Sequence, residues 1–252
     1  MSVELRAVRK NSLGALEYPL FDGLDISVAS GAHVGILGAQ KSGKSTLLRM
    51  ICGTEPVDDG LVERTSRVSW PIPLSTFLIQ TSSVAINIRF VGRIYGITDN
   101  EFPRRIAELG AIADFLNVRL QKCPRFVTAR LAFALGVGID CDLYLFDERI
   151  IPPDKDFREH AVKVVERLKE QRGFIVATKI PAEVEAHCDS VYVLENGRAS
   201  YFPNAAEAVV HFKELMKAAQ KRSSSEAAGG PESDDEGGVA ETGDIDMIGA
   251  AL

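Results

Sequence analysis

Residues 37–48 read LGAQKSGKSTLL, and within them Gly38, Gly43, Lys44 and Ser45 meet the spacing G-x-x-x-x-G-K-[ST]. That arrangement suits one task, the grip on a chain of phosphates. Small and flexible residues let the backbone N–H groups of Gly38, Ala39, Gln40, Lys41, Ser42 and Gly43 curl around an anion. A helix opening at Ser45 and Thr46 adds its dipole. Lys44 neutralises the outer phosphates, and the Ser45 hydroxyl ligates Mg²⁺. About a hundred residues further on, LYLFDE at 143–148 runs from apolar residues into two acids. Asp147, at the end of a buried strand, holds Mg²⁺ through water, and Glu148 polarises an attacking water as general base. The first stretch's other reading is a chance glycine-rich turn, and the second, taken alone, is usually a strand meeting solvent. Taken together and in this order, they predict a site for a nucleoside triphosphate.

Such residues need a scaffold, and the chain's periodicities supply one. VELRAV and LDISVAS alternate apolar and polar residues, as strands at a sheet edge do, and HVGILG is a more continuous apolar strand leading into the glycine-rich loop. STLLRMICG has helical spacing and stops at Gly53. The DDG at 58–60 reads as a turn, and RVSWPI as a short strand halted by Pro71. Helical periods follow over 83–96, over PRRIAELGAIADFL with Asp99 or Asn100 as cap, and over the very apolar VTARLAFALGVGI. After the DLYLFDE strand come the amphipathic DFREHAVKVVERLKEQRG, the buried strand FIVAT, and the short helical AEVEAHC. A hairpin around Asn196-Gly197 and a last helix, NAAEAVVHFKELMKAAQKR, complete the body. Apolar strands alternating with helices predict an α/β fold with a mostly parallel sheet and antiparallel edge strands.

The net charge of −6 divides unevenly: residues 223–252 hold eight acids and no base, leaving 29 bases against 27 acids before them. The body is near neutral, so no basic field invites nucleic acid. The end of the chain is rich in Gly, Ser and Glu and predicts an acidic disordered tail over 221–252, behind a folded domain at 1–220. Cys52, Cys123, Cys141 and Cys188 are scattered without a C-x-x-C pair, which points to a reducing compartment and away from zinc. The four histidines do not cluster either. No signal-like N-terminus and no run of 18 apolar residues is present, so the expectation is a cytoplasmic protein.

Two branches of nucleotide-binding proteins drop out. A guanine site needs N/T-K-x-D, but TKIP at 178–181 has Pro181 at the aspartate's place. A small kinase places a substrate lid between the two motifs, whereas this interval holds helices, expected as a subdomain at about 80–140. Helical insertion, acidic strand end, one further strand and a hairpin is the order of ABC-transporter ATPases. The stretches SWP, NIRFVGRIYG, IAELGAIADF, ARLAFAL, CDLYLFDE and CDSVYVLENG resemble the ATP-binding subunits of bacterial capsular and related polysaccharide exporters, over roughly residues 2–215. The resemblance implies an ATPase on the inner face of the cell's inner membrane, using ATP and Mg²⁺. Its implied partners are a membrane permease and a second ATPase subunit, as a homodimer or a heterodimer. It also implies that Tyr18 stacks on adenine; its other reading is an ordinary strand aromatic.

The same resemblance exposes departures. Where these ATPases carry a small-residue signature that completes the partner's site, this chain has Pro124, Arg125, Phe126 and Val127. Where they carry a histidine that senses the γ-phosphate, it has Lys179, which either holds phosphate as a point charge or faces solvent. Lys41 stands in place of a glycine, Gln80 is poorly spaced for a Mg²⁺-contacting glutamine, and Asp154 keeps a dimer-contact acid beside Pro153. The expectation is a nucleotide binder whose own hydrolysis is weak: an exporter ATPase subunit, or alternatively a scaffold or regulatory subunit of the same system.

Overall fold

A computed structural model describes residues 2–12 and 18–228; the acidic stretch from 229 on, with its closing IDMIGAAL, lies outside the described residues. One compact unit spans Met1–Leu215, and a second spans Met216–Leu252. The first carries the fold. Six strands form its main sheet in the spatial order β5 (Val68–Ile72), β6 (Leu143–Asp147), β7 (Gly173–Thr178), β3 (His33–Gly38), β8 (Ser190–Glu195) and β9 (Arg198–Phe202). All neighbours are parallel except β9, which returns antiparallel to β8. The turn between β8 and β9 is the expected Asn196-Gly197, both at positive φ (48° and 76°), which matches the right-handed strand twist. Every residue of β7 is buried, as a strand covered on both faces requires.

The first two strands do not extend that sheet. Instead β1 (Val3–Asn11) pairs antiparallel with β2 (Pro19–Val28) and with β4 (Asp59–Arg64) in a separate three-stranded sheet. Their alternation gives one apolar face, Val3, Leu5, Val8, Leu24, Ile26 and Val28. That face packs in one core with Leu47, Leu48, Met50 and Ile51 of α1 (Lys44–Cys52) and with Ile36, Leu145 and Ile175 of the main sheet. The sheet-edge expectation for β1 and β2 is therefore corrected. Strand β4 was not expected, because its DGLVER is almost wholly exposed and shows no alternation. The turn read at 58–60 is where it begins. The expected strand RVSWPI is present as β5, which ends at Ile72, one residue past Pro71. Pro71 pairs with Leu145, and β5 is an edge strand, where a residue without N–H loses no second ladder.

Two helices, α2 (Val84–Ile94) and α3 (Phe102–Leu109), precede α4 (Arg125–Gly138). Ser83 caps α2, its Oγ accepting from Ile86 N at 3.3 Å. The single helix expected through Leu116 ends at Gly110, with Ala111 at φ 49° and a short 3₁₀ turn at Ala113–Phe115. Glu101, not Asp99 or Asn100, is its N-cap; Asp99 Oδ1 instead accepts from Glu101 N at 2.8 Å. Helix α4 starts two residues earlier than the apolar pattern, after Pro124. Helices α5 (Arg158–Gln171) and α6 (Pro181–His187) flank β7 in sequence, and α7 (Ala205–Ala228) closes the described chain. The last helix runs through Ser223–Ala228, residues whose composition places them in the acidic tail. Among the described residues no helix is long and apolar enough to cross a membrane, and no group of three His, Cys, Asp or Glu could hold a metal ion.

Candidate functional site

The parallel pairing brings three strand ends to one edge. β6 and β7 align Asp147 with Ala177, and β3 and β7 align Leu37 with Thr178. The loop after β3, the Asp147-Glu148 pair after β6 and Lys179 after β7 thus emerge side by side, where a parallel sheet receives its ligands.

The loop is closed on itself. Lys44, only 6% exposed at the first turn of α1, donates from Nζ to Gly38 O at 3.0 Å and to Ala39 O at 2.8 Å. Ser42 N donates to Ala39 O at 3.3 Å, and its Oγ is buried without a partner among the described residues. Glycine is required at position 43: φ is 90°, and a Cβ there would stand 2.7 Å from Phe21 Cζ. At Gly38 a Cβ would meet Ser42 Oγ at 2.5 Å. Burial pushes the Lys44 ammonium below its usual pKa, while Glu148 and Asp147 oppose that shift and Lys179 adds to it. The three charged strand-end residues therefore all act on the loop lysine. Glu148 sits at φ 73°, left-handed backbone for a residue with a Cβ, held by its N–H to Ala177 O at 2.8 Å. Lys41 is left-handed as well, at φ 66°. Such backbone costs about 1–3 kcal/mol per residue and persists only where the surroundings impose it.

A cleft of about 420 Å³ runs along this loop, lined by Tyr18, Gln40, Lys41, Gly43, Lys44, Ser45, Thr46 and Glu148. Tyr18 is half exposed at its rim (54%), its N–H donating to Ser12 Oγ at 3.3 Å. Asp147 lies beside it, lining with Glu148 a smaller apolar cavity of about 200 Å³ with Ile72, Pro73 and Phe133. Lys179 is exposed, on a turn closed by Ile180 N donating to Thr178 Oγ1 at 3.0 Å.

Sequence reasoning missed five lining residues, Asn11, Ser12, Leu20, Arg49 and Glu55. Asn11, Arg49 and Glu55 belong to one polar chain. Arg49 Nη2 donates to Thr46 Oγ1 at 3.0 Å, and its Nε donates to Glu55 Oε2 at 2.8 Å. Buried Lys10 lies 3.7 Å from Glu55 and 3.1 Å from Asp58, whose other oxygen takes Asn11 N at 2.7 Å. No local motif marks these residues, because the pairs form between separate elements.

A family model described as ABC transporter matches residues 21–109. The chain is 31% identical over 194 residues to the ATP-binding protein BexA of Haemophilus influenzae, covering 77% of this chain and 89% of that one. The chain belongs to the ABC transporter ATP-binding family. It is also 29% identical over 192 residues to the capsule polysaccharide export ATP-binding protein CtrD of Neisseria meningitidis serogroup B, over 76% of this chain and 89% of that one. Among solved structures, an ATP-binding subunit of an ABC transporter shares the fold with TM-score 0.70 at 19% identity, over 81% of this chain and 90% of that chain. A dimeric ATP-binding cassette bound to ADP and Pi shares it with TM-score 0.67 at 17% identity, over 80% of this chain and 98% of that chain.

Within this ABC fold, the segment at the signature's place opens α4, with Pro124 as N-cap and no side-chain cap. Phe126 is exposed yet anchored: the Arg130 guanidinium lies 4.5 Å from its ring centre, and Phe115 meets it edge-on at 5.9 Å. None of residues 124–127 lines the cleft that holds Lys44. Arg130 Nε also binds Asp154 Oδ2 at 2.7 Å, which joins α4 to the loop after Glu148. Gln80 is exposed, and its carbonyl accepts from Gln121 N at 2.9 Å. It does not line the cleft.

Proposed function

We propose that this chain is the ATP-binding subunit of an ABC exporter of capsular or related surface polysaccharide. It would work at the inner face of the inner membrane beneath a permease. The observation that carries the reading is the closed loop of Gly38–Thr46 at the end of β3, with Asp147 and Glu148 at the end of β6, one strand removed across β7, and Tyr18 on the same cleft as the loop and Glu148. The name of the relative CtrD, a capsule polysaccharide export ATP-binding protein matched over 89% of its length, supplies the export system. Loop N–H groups and Lys44 bind the phosphates, and Tyr18 stacks on adenine. The donors fit Mg²⁺: Ser45 offers a hydroxyl and Asp147 a carboxylate, hard oxygens of the kind the ion takes. When bound, Mg²⁺ neutralises charge on the phosphates. Glu148 takes the proton of the attacking water, and Lys179 places a charge near the terminal phosphate. Completion of the site needs a second ATPase subunit, because residues 124–127 offer no hydroxyl to another copy's nucleotide.

Calorimetry of the full chain with Mg²⁺-ATP tests this. Lys44→Ala removes a charge-assisted contact and is expected to weaken binding by about 1.5–3 kcal/mol. Equal affinity in wild type and variant would remove the phosphate-loop assignment.

A further inference from the structure

Of the five described non-glycine residues in left-handed backbone, two lie on the nucleotide cleft, Lys41 and Glu148. Glu148 has a role under the reading above; Lys41 has only a position. A lysine gains nothing from a positive φ, since its Cβ crowds the following carbonyl, so the local backbone is imposed by the loop. A glycine would satisfy the same turn without strain. What the lysine adds is therefore its ammonium.

The two loop lysines are in opposite states. Lys44 is buried, and two of its three donors are already engaged by Gly38 O and Ala39 O. Lys41 is exposed, lines the cleft, and makes no hydrogen bond or ion pair among the described residues. Asp147 and Glu148 bring two carboxylates to the same strand edge, a field that repels the most highly charged end of a triphosphate. A mobile, uncommitted cation on a four-carbon stem can offset that repulsion where an engaged and buried one cannot.

We propose that Lys41 is a triphosphate-reading residue: its ammonium engages the terminal phosphate in its own subunit, so that the site discriminates ATP from ADP. This rests on the nucleotide-binding reading of the same cleft. It assigns to the chain itself a charge contact near the reacting phosphate, independent of any partner subunit. The charge counts most for the ligand with the extra phosphate, so its removal changes a ratio of affinities and not merely an affinity.

The test is calorimetry of the full-length chain with Mg²⁺-AMP-PNP and with Mg²⁺-ADP, for wild type, Lys41→Gly, Lys41→Arg and Lys41→Met. Lys41→Gly is expected to lower the AMP-PNP affinity by about tenfold, the scale of one charge-assisted contact, and the ADP affinity by less than about threefold. Its melting temperature should be unchanged or higher, because glycine suits φ 66°. Lys41→Arg should keep the wild-type ratio of the two affinities, and Lys41→Met should lose it. A ratio unchanged within twofold in Lys41→Gly overturns the assignment while leaving nucleotide binding intact. Wild type that binds neither nucleotide overturns both.

Discussion

At the scale of single residues, the structure divides the phosphate site into parts that fold for themselves and parts that are held under strain. Lys44 is satisfied by the loop's own carbonyls, so its place is fixed before any ligand arrives. Glu148 is held at φ 73° by one backbone hydrogen bond to Ala177. Two substitutions separate its chemistry from that strain. Glu148→Gln keeps the Cβ and removes the base, so general-base catalysis worth about 10²–10⁴-fold should vanish with little change in melting temperature. Glu148→Gly should lose the same rate. It relieves about 1–2 kcal/mol of left-handed strain, against about 0.4–1 kcal/mol for a freer unfolded chain. Its melting temperature should thus equal or exceed that of wild type in a thermal scan. The loop and the acid pair were legible in the sequence because each is a contiguous motif. The Arg49–Glu55–Lys10 chain was not, since its partners come from α1, the following loop and β1 and meet only in the fold. The strain at Lys41 and Glu148 was equally hidden, because neither residue type announces a positive φ.

At the scale of elements, periodicity revealed the strands and helices with one strong face and misread those without one. β7 and β3, buried along nearly their whole length, were legible as apolar runs, whereas β4 exposes almost all its residues and left no signal. β5 was legible as RVSWPI and ends with it at Ile72; the edge position that makes Pro71 harmless is a property of the sheet and not of the segment. The contact between α4 and the loop after Glu148 was invisible for the same reason. There Asp154 takes Arg130 Nε through Oδ2, and through Oδ1 it takes the N–H groups of Asp156 and Phe157 at 3.1 and 3.2 Å. Both side chains are mostly covered (11% and 19% exposed), so the pair is screened less than a surface one. The Arg130 guanidinium, with those N–H groups, holds the Asp154 carboxyl below its usual pKa. A depressed folded pKa gives stability that is present above the unfolded value, near 3.8, and is lost as pH falls through the folded one. Asp154→Ala should therefore cost about 1.5–3 kcal/mol at neutral pH, with the difference from wild type narrowing in acid. Urea unfolding at pH 7 and below pH 3.8 measures both.

At the scale of the whole molecule, the question is which half-site each altered residue belongs to. One of the solved structures with this fold is a dimer bound to ADP and Pi. In a homodimer of this chain, both nucleotides would face Pro124–Val127, whose exposed Phe126 is locked beneath Arg130 and against Phe115. Both would also face Lys179 in place of an imidazole. Loss of one transition-state donor costs about 2.7–4 kcal/mol, a hundred- to a thousand-fold in rate. Two such losses at every site leave little hydrolysis, even though such effects do not simply add. A heterodimer differs, because an intact partner would bring a complete signature to Lys44, Asp147 and Glu148, and that site would lack only the histidine. The expected outcome is negligible phosphate release by the purified chain and measurable release once a complete partner subunit is present. Within that complex, Lys179→His should raise the rate, and Glu148→Gln should reduce the share of hydrolysis at this chain's own site. Vigorous hydrolysis by the chain alone, abolished by Glu148→Gln, would reverse the conclusion. It would mean that charges within one kind of subunit, at Arg125, Lys179 or Lys41, replace the groups a partner was expected to lend.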